Sequence, residues 1–158
     1  MKLQKLDIFL TWDDIMSLFD SLGPKGVDID DIEPNGASFG IVGKASKFCF
    51  TVNWSVCVEP MPSHDDRDLV FHVESFDCEG FKLYKNLWRF DWSLTPEESL
   101  VQTCASHVPG LWASEDYLGV DLRFLLSKCM NTDSPVKVGK IKSFSANKSG
   151  IRLVIENK

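Results

Sequence analysis

Eleven consecutive residues, 48-FCFTVNWSVCV-58, alternate without a fault. Phe48, Phe50, Val52, Trp54, Val56 and Val58 take every second place, and Cys49, Thr51, Asn53, Ser55 and Cys57 stand between them. Period two is the period of a strand with one covered face. At about 3.3 Å per residue the stretch would run roughly 36 Å, whereas an ordinary strand has about 5–6 residues. A strand this long sets the scale of the fold and belongs at the centre of a sheet. Its apolar side must be covered, either by other elements of the chain or by a ligand.

The flanking segments are consistent with an antiparallel sheet. Residues 27–33 form a short acidic strand, an edge by its charge, and Pro34-Asn35-Gly36 is a turn. Ala37, Phe39 and Ile41 alternate next, in a strand weakened by Gly40 and Gly43. The loop 59-EPMPSHDDRD-68 leads to a strand over 68–76. Within 81-FKLYKNLWRFDWSL-94, Trp88, Phe90, Trp92 and Leu94 alternate again.

Helix starts are marked by capping chemistry. Thr11 with Asp14 opens one helix, with Trp12, Ile15, Phe19 and Leu22 on a face, and Gly23-Pro24 stops it. Thr95-Pro96-Glu97-Glu98 opens another as a capping box with proline at the first helical position. Asp121 caps a third within 119–130. The chain closes with a hairpin that turns at 147-NKSG-150. Consecutive strands, with helices grouped apart, predict a single α+β domain over 1–158: one curved, mainly antiparallel sheet with about three helices on its apolar face.

Charge narrows the partners. The net charge is −6 and the pI about 5.0. That argues against nucleic acid, whose phosphates demand a cationic footprint. Residues 137–158 nevertheless carry six basic groups and one acidic group, a basic strip on an acidic body. Lys140, Lys142 and Lys148 in that strip can meet an anionic headgroup, whereas the plain reading is a solvated strand face. No signal-peptide core and no run of about 20 apolar residues is visible, so a cytoplasmic location is expected. The five cysteines are odd in number and lack CxxC spacing, as in cytosolic thiols.

No motif points to catalysis. Cys104 and His107, three apart on a helix, are the one arrangement of nucleophile and base, and His107 equally suits a helix C-terminus. His64 lies in a polar loop, and His72 alternates with Val70 and Glu74 on the more open face of its strand. No metal and no cofactor is expected, because no usual ligand spacing occurs.

The segment 120-VDLRFLL-126, followed by 141-IKSFSANKSGIRLVI-155, resembles the α/β half-barrel domains of tubular lipid-binding proteins and related bacterial proteins. Both have a helix opening on Val-Asp-Leu and a terminal hairpin with a glycine turn. The likeness covers the last third of the chain and is topological elsewhere. It implies a long curved sheet around a helix with an apolar groove, and carries over no catalytic residue. Secreted relatives would need a signal peptide, and none is visible here.

Two functions are therefore expected. The first is a non-enzymatic binding protein, with an apolar or lipid-like ligand against Phe48, Phe50, Val52, Trp54 and Val56 and its headgroup near Lys140 and Lys142. The alternative is an acidic interaction module, a partner or inhibitor of a basic protein, steered by Asp28, Asp30, Asp31 and Glu33.

Overall fold

Over its described side chains, residues 51–58, the long stretch keeps Val52, Val56 and Val58 buried at alternate places. In the computed structural model, which describes residues 5–22, 26–47, 50–61, 67–78, 95–107, 110–124 and 139–156, the chain begins with β1 (Lys5–Thr11) and α1 (Trp12–Leu22). Four strands follow: β2 (Val27–Asn35), β3 (Ser38–Lys47), β4 (Phe50–Met61) and β5 (Asp68–Cys78). Then come α2 (Pro96–His107), β6 (Leu111–Ser114), β7 (Tyr117–Asp121), β8 (Lys140–Ala146) and β9 (Gly150–Glu156). Residues 122–124 open a further helix. Phe48, and the strand expected within 81–94, lie outside the described residues, as do His64 and the side chains of Phe50 and His107.

The class is α+β, and every strand pair is antiparallel. The strands divide into two hydrogen-bonded sheets where the sequence predicts one: β2-β3-β4-β5-β7-β6 and β1-β9-β8. The physical reason lies at the N-terminus. Residues 5–11 form a strand that pairs with the C-terminal hairpin, from Lys5↔Glu156 to Thr11↔Gly150. The long strand, as β4, is interior to the six-stranded sheet, and the acidic β2 is an edge strand of it among the described residues.

The expected caps form. Asp14 N–H donates to Thr11 Oγ1 at 3.2 Å, and Thr11 N–H donates back to Asp14 Oδ2 at 3.0 Å. Glu98 N–H donates to Thr95 Oγ1 at 3.2 Å, ahead of Pro96 at the first position of α2. Arg123 N–H donates to Asp121 Oδ1 at 2.9 Å, so Asp121 does cap the next helix while its backbone ends β7. Gly36, at φ +65°, takes the first loop position between β2 and β3, as a type II′ hairpin turn requires.

Three bulges fix which side chains face inward. Each leaves one residue out of the ladder, Asp30 in β2, Glu74 in β5 and Lys142 in β8, between two inward apolar residues three apart. The buried pairs are Ile29 with Ile32 and Ile141 with Phe144. In β5, Val73 is buried and Phe76 half-buried beyond the bulge. In a regular strand, residues three apart face opposite ways, and the extra residue restores the common face.

The inward face is covered along most of its described length. Phe39, Val58 and Val73 stand abreast on β3, β4 and β5, and Ile32, Ile41, Val56 and Phe76 form the next row. Trp12, Ile15, Met16 and Phe19 of α1 pack on this cluster, and so does the fully buried Val101 of α2. Trp12 meets Phe39 with ring centroids 4.8 Å apart. The smaller sheet closes the other end: Leu69 packs with Leu122, Ile141, Phe144 and Ile155, and Phe71 meets Phe144 edge to face at 5.3 Å. Full burial of each such side chain stabilises by about 1.5–3 kcal/mol.

Candidate functional site

The inward face of β4 answers the question its length raises. Val56 and Val58 are core, packed in the cluster that α1 and α2 cover. Val52 is buried as well, at 3 % exposure, but belongs to neither described core cluster. Between these positions stands Trp54, half-buried, opposite Gly43 on β3 and Cys78 on β5. Gly43 makes room for it: a Cβ at that position would lie 2.7 Å from Trp54 Cζ2 and would also strike the Asp28 carbonyl. The Trp54 indole Nε1 is buried and has no hydrogen-bond partner among the described residues. A buried N–H normally finds an acceptor, and leaving it unpaired costs about 1–3 kcal/mol.

The lysines of the basic strip sit on the other sheet. Lys142 Nζ donates to Glu156 Oε1 at 2.9 Å, so its charge is already balanced. Arg152 forms a two-pronged pair with Asp7 that ties β9 to β1. Lys140 and Lys148 are exposed, and the Lys148 carbonyl accepts the Trp12 indole N–H at 3.1 Å. The acidic residues Asp28, Asp30, Asp31 and Glu33 are all exposed on the edge strand β2. Asp28 has Lys44 as its cross-strand neighbour, and Asp31 Oδ1 accepts the Ile32 N–H at 2.9 Å.

Cys104 is a free thiol, largely shielded, and burial pushes its pKa up. A raised thiol pKa opposes nucleophilic use, because the thiolate is the reactive form.

The opposite face of β4 carries a polar cluster that the sequence pattern does not announce. Glu59 on β4 stands directly across from His72 on β5, which in turn stands across from Tyr117 on β7. Glu74, the bulged residue of β5, completes the group. One ligand atom from each of Glu59, His72 and Glu74 lies within 4.8 Å of the others. His72 is held from two sides. Its Nε2 is 2.9 Å from Asp116 Oδ2, and its ring lies 4.8 Å from that of Tyr117, inclined by 30°. Asp116 is itself anchored, because its carbonyl accepts the Val73 N–H at 2.9 Å. The Cys57 thiol donates to Glu74 Oε2 at 3.3 Å. Burial, and then that hydrogen bond, push the Cys57 pKa up. Among the described residues no lysine or arginine forms an ion pair with Glu59 or Glu74.

Period two places His72 and Glu74 on one face, and this much is legible in the sequence. Glu59 joins them only through the β4–β5 register, and Asp116 only through a short hairpin whose turn residue Glu115 takes φ +54°. No local sequence pattern encodes either placement.

No protein-family model, no curated protein and no solved structure matches the chain. Among the described residues, no helix is long and apolar enough to cross a membrane.

Proposed function

We propose that the chain is a non-enzymatic binding protein of the cytoplasm. It holds a small apolar, lipid-like molecule at the Val52–Trp54 end of β4. The observation that carries this reading is the Trp54 indole N–H, buried on an apolar face without an acceptor among the described residues. A ligand with an apolar body and one carbonyl or carboxyl oxygen supplies that acceptor and covers the face. The half-barrel resemblance of the C-terminal third favours the same class of ligand. The thiols of Cys57 and Cys104, in no disulfide among the described residues, fit a reducing compartment. Val56 packs within the core and Trp54 packs against it, so the proposed contact draws back to Val52 and the Trp54 indole, while Phe48 and the Phe50 side chain lie outside the described residues.

The test is a fluorescence titration of the full chain with a long-chain fatty acid, repeated for Trp54→Phe. Saturable binding is expected. Losing the one hydrogen bond weakens it by roughly 1 kcal/mol, about fivefold in Kd. Absence of saturable binding, or equal affinity in the variant, contradicts the proposal.

A second reading has its own observation. Among the described residues, Asp28, Asp30, Asp31 and Glu33 line an edge strand, and none of them is in an ion pair. An acidic edge steers a basic protein partner. A pull-down whose yield collapses with added salt, and with neutral substitutions at these four positions, supports it. Capture that ignores both excludes it.

A further inference from the structure

We infer that the outer face of β4 and β5 carries a binding site for one divalent metal ion of the zinc class, held by Glu59, His72 and Glu74. The site lies on the face opposite Trp54 and is independent of the apolar ligand proposed above.

The donor atoms are near one another and chemically matched. One nitrogen of His72 and one oxygen each from Glu59 and Glu74 fall within 4.8 Å. Around a tetrahedral ion with bonds of about 2.0–2.1 Å, donors stand roughly 3.4 Å apart. Small rotations about side-chain bonds close that difference. Glu74 is exposed and free to make them, while Glu59 and His72 are half-buried and already placed.

The surroundings resemble the supporting shell of a metal site. A metal-bound imidazole usually gives its other ring nitrogen to a carboxylate, which fixes tautomer and orientation. Asp116 Oδ2 lies 2.9 Å from His72 Nε2, which leaves Nδ1 as the nitrogen for the ion, and the Tyr117 ring stacks 4.8 Å from the imidazole. Two carboxylates lie close together here without an ion-pair partner among the described residues, so a metal ion removes a repulsion and displaces no cation. The β5 bulge falls at Glu74 and brings its carboxylate within 3.3 Å of the Cys57 sulfur. One imidazole and two carboxylates suit borderline divalent ions, zinc among them. Three protein ligands leave further positions for water.

The experiment is competition for Zn2+ between the full chain and a chromophoric chelator, under reducing conditions. It is run for the wild type, His72→Ala, Glu59→Gln, Glu74→Gln and Asp116→Asn. The wild type is expected to take up one zinc ion tightly enough to compete. Loss of a supporting partner typically costs about 10–100-fold in metal affinity. Asp116→Asn should fall in that range, and each ligand substitution should cost at least as much. Circular dichroism confirms the fold of each variant, and Glu74→Gln changes an exposed side chain at constant size, so it tests the site without touching the core. The proposal is overturned if the wild type takes up no zinc. It is equally overturned if Glu74→Gln and His72→Ala bind zinc as tightly as the wild type, which would place the ion on other cysteines or histidines.

Discussion

At the scale of single residues, the two faces of β4 are set by small details of fit. Gly43 is a strand glycine with a specific reason to be there: the Trp54 indole occupies the space its side chain would need. Gly43→Ala should therefore destabilise by about 1–3 kcal/mol, as overpacking does, measured by urea denaturation. A neutral result would mean that Trp54 has another place to go. Cys104 supplies a second residue-level prediction. Its shielded, pKa-raised thiol should alkylate much more slowly in the native protein than in urea, followed by mass spectrometry at mildly alkaline pH. Rapid native alkylation would revive a nucleophile at Cys104. The same scale shows where local sequence suffices. Thr11, Thr95 and Asp121 act as caps because capping needs only residues a few positions apart. Asn147, at the β8–β9 turn, likewise accepts the Ser149 and Gly150 N–H groups at 2.8 and 3.2 Å.

At the scale of elements, pairing partners decide what a short segment becomes. Residues 6–10, Leu-Asp-Ile-Phe-Leu, alternate imperfectly because Phe9 breaks the pattern, and they become β1 by pairing with a strand at the far end of the chain. The β6–β7 hairpin is hidden for a different reason. Its strands are short, and its turn runs through Glu115 and Asp116 rather than glycine or asparagine. The three bulges mark where simple alternation fails, yet each leaves a trace, an apolar pair three residues apart inside a strand. Two exposed ion pairs span the smaller sheet, beside its apolar contacts at Ile141, Phe144 and Ile155. The hydrogen bond from Arg152 lowers the Asp7 pKa below its ordinary 3.8, and the one from Lys142 lowers that of Glu156 below its ordinary 4.5. A carboxyl whose folded pKa is depressed adds stability above its unfolded pKa and loses it as pH falls through the folded value. Amide exchange in β1 and β9 should therefore accelerate as pH drops below the ordinary carboxyl range, relative to β3 and β4. Uniform loss of protection across both sheets would contradict this.

At the scale of the whole molecule, one strand separates two chemistries. The inner side of β4 is core at Val56 and Val58 and carries at Trp54 an indole N–H without an acceptor among the described residues, while the outer side carries Glu59 and Cys57 beside His72 and Glu74. The α+β class, the interior place of the long strand and the acidic edge strand two places from it were all readable from period and charge. The division into two sheets and the grouping of Glu59 with His72 were not, because both depend on register between segments that no local pattern links. The central claim is that the Trp54 end of β4 holds an apolar molecule. Native mass spectrometry of the freshly purified full chain, compared with its mass in denaturing solvent, tests it most directly. An added mass of lipid-like size is expected, one that organic extraction removes and that Trp54→Phe retains less well. Identical native and denatured masses, together with a protein acceptor found on Trp54 Nε1, would contradict it.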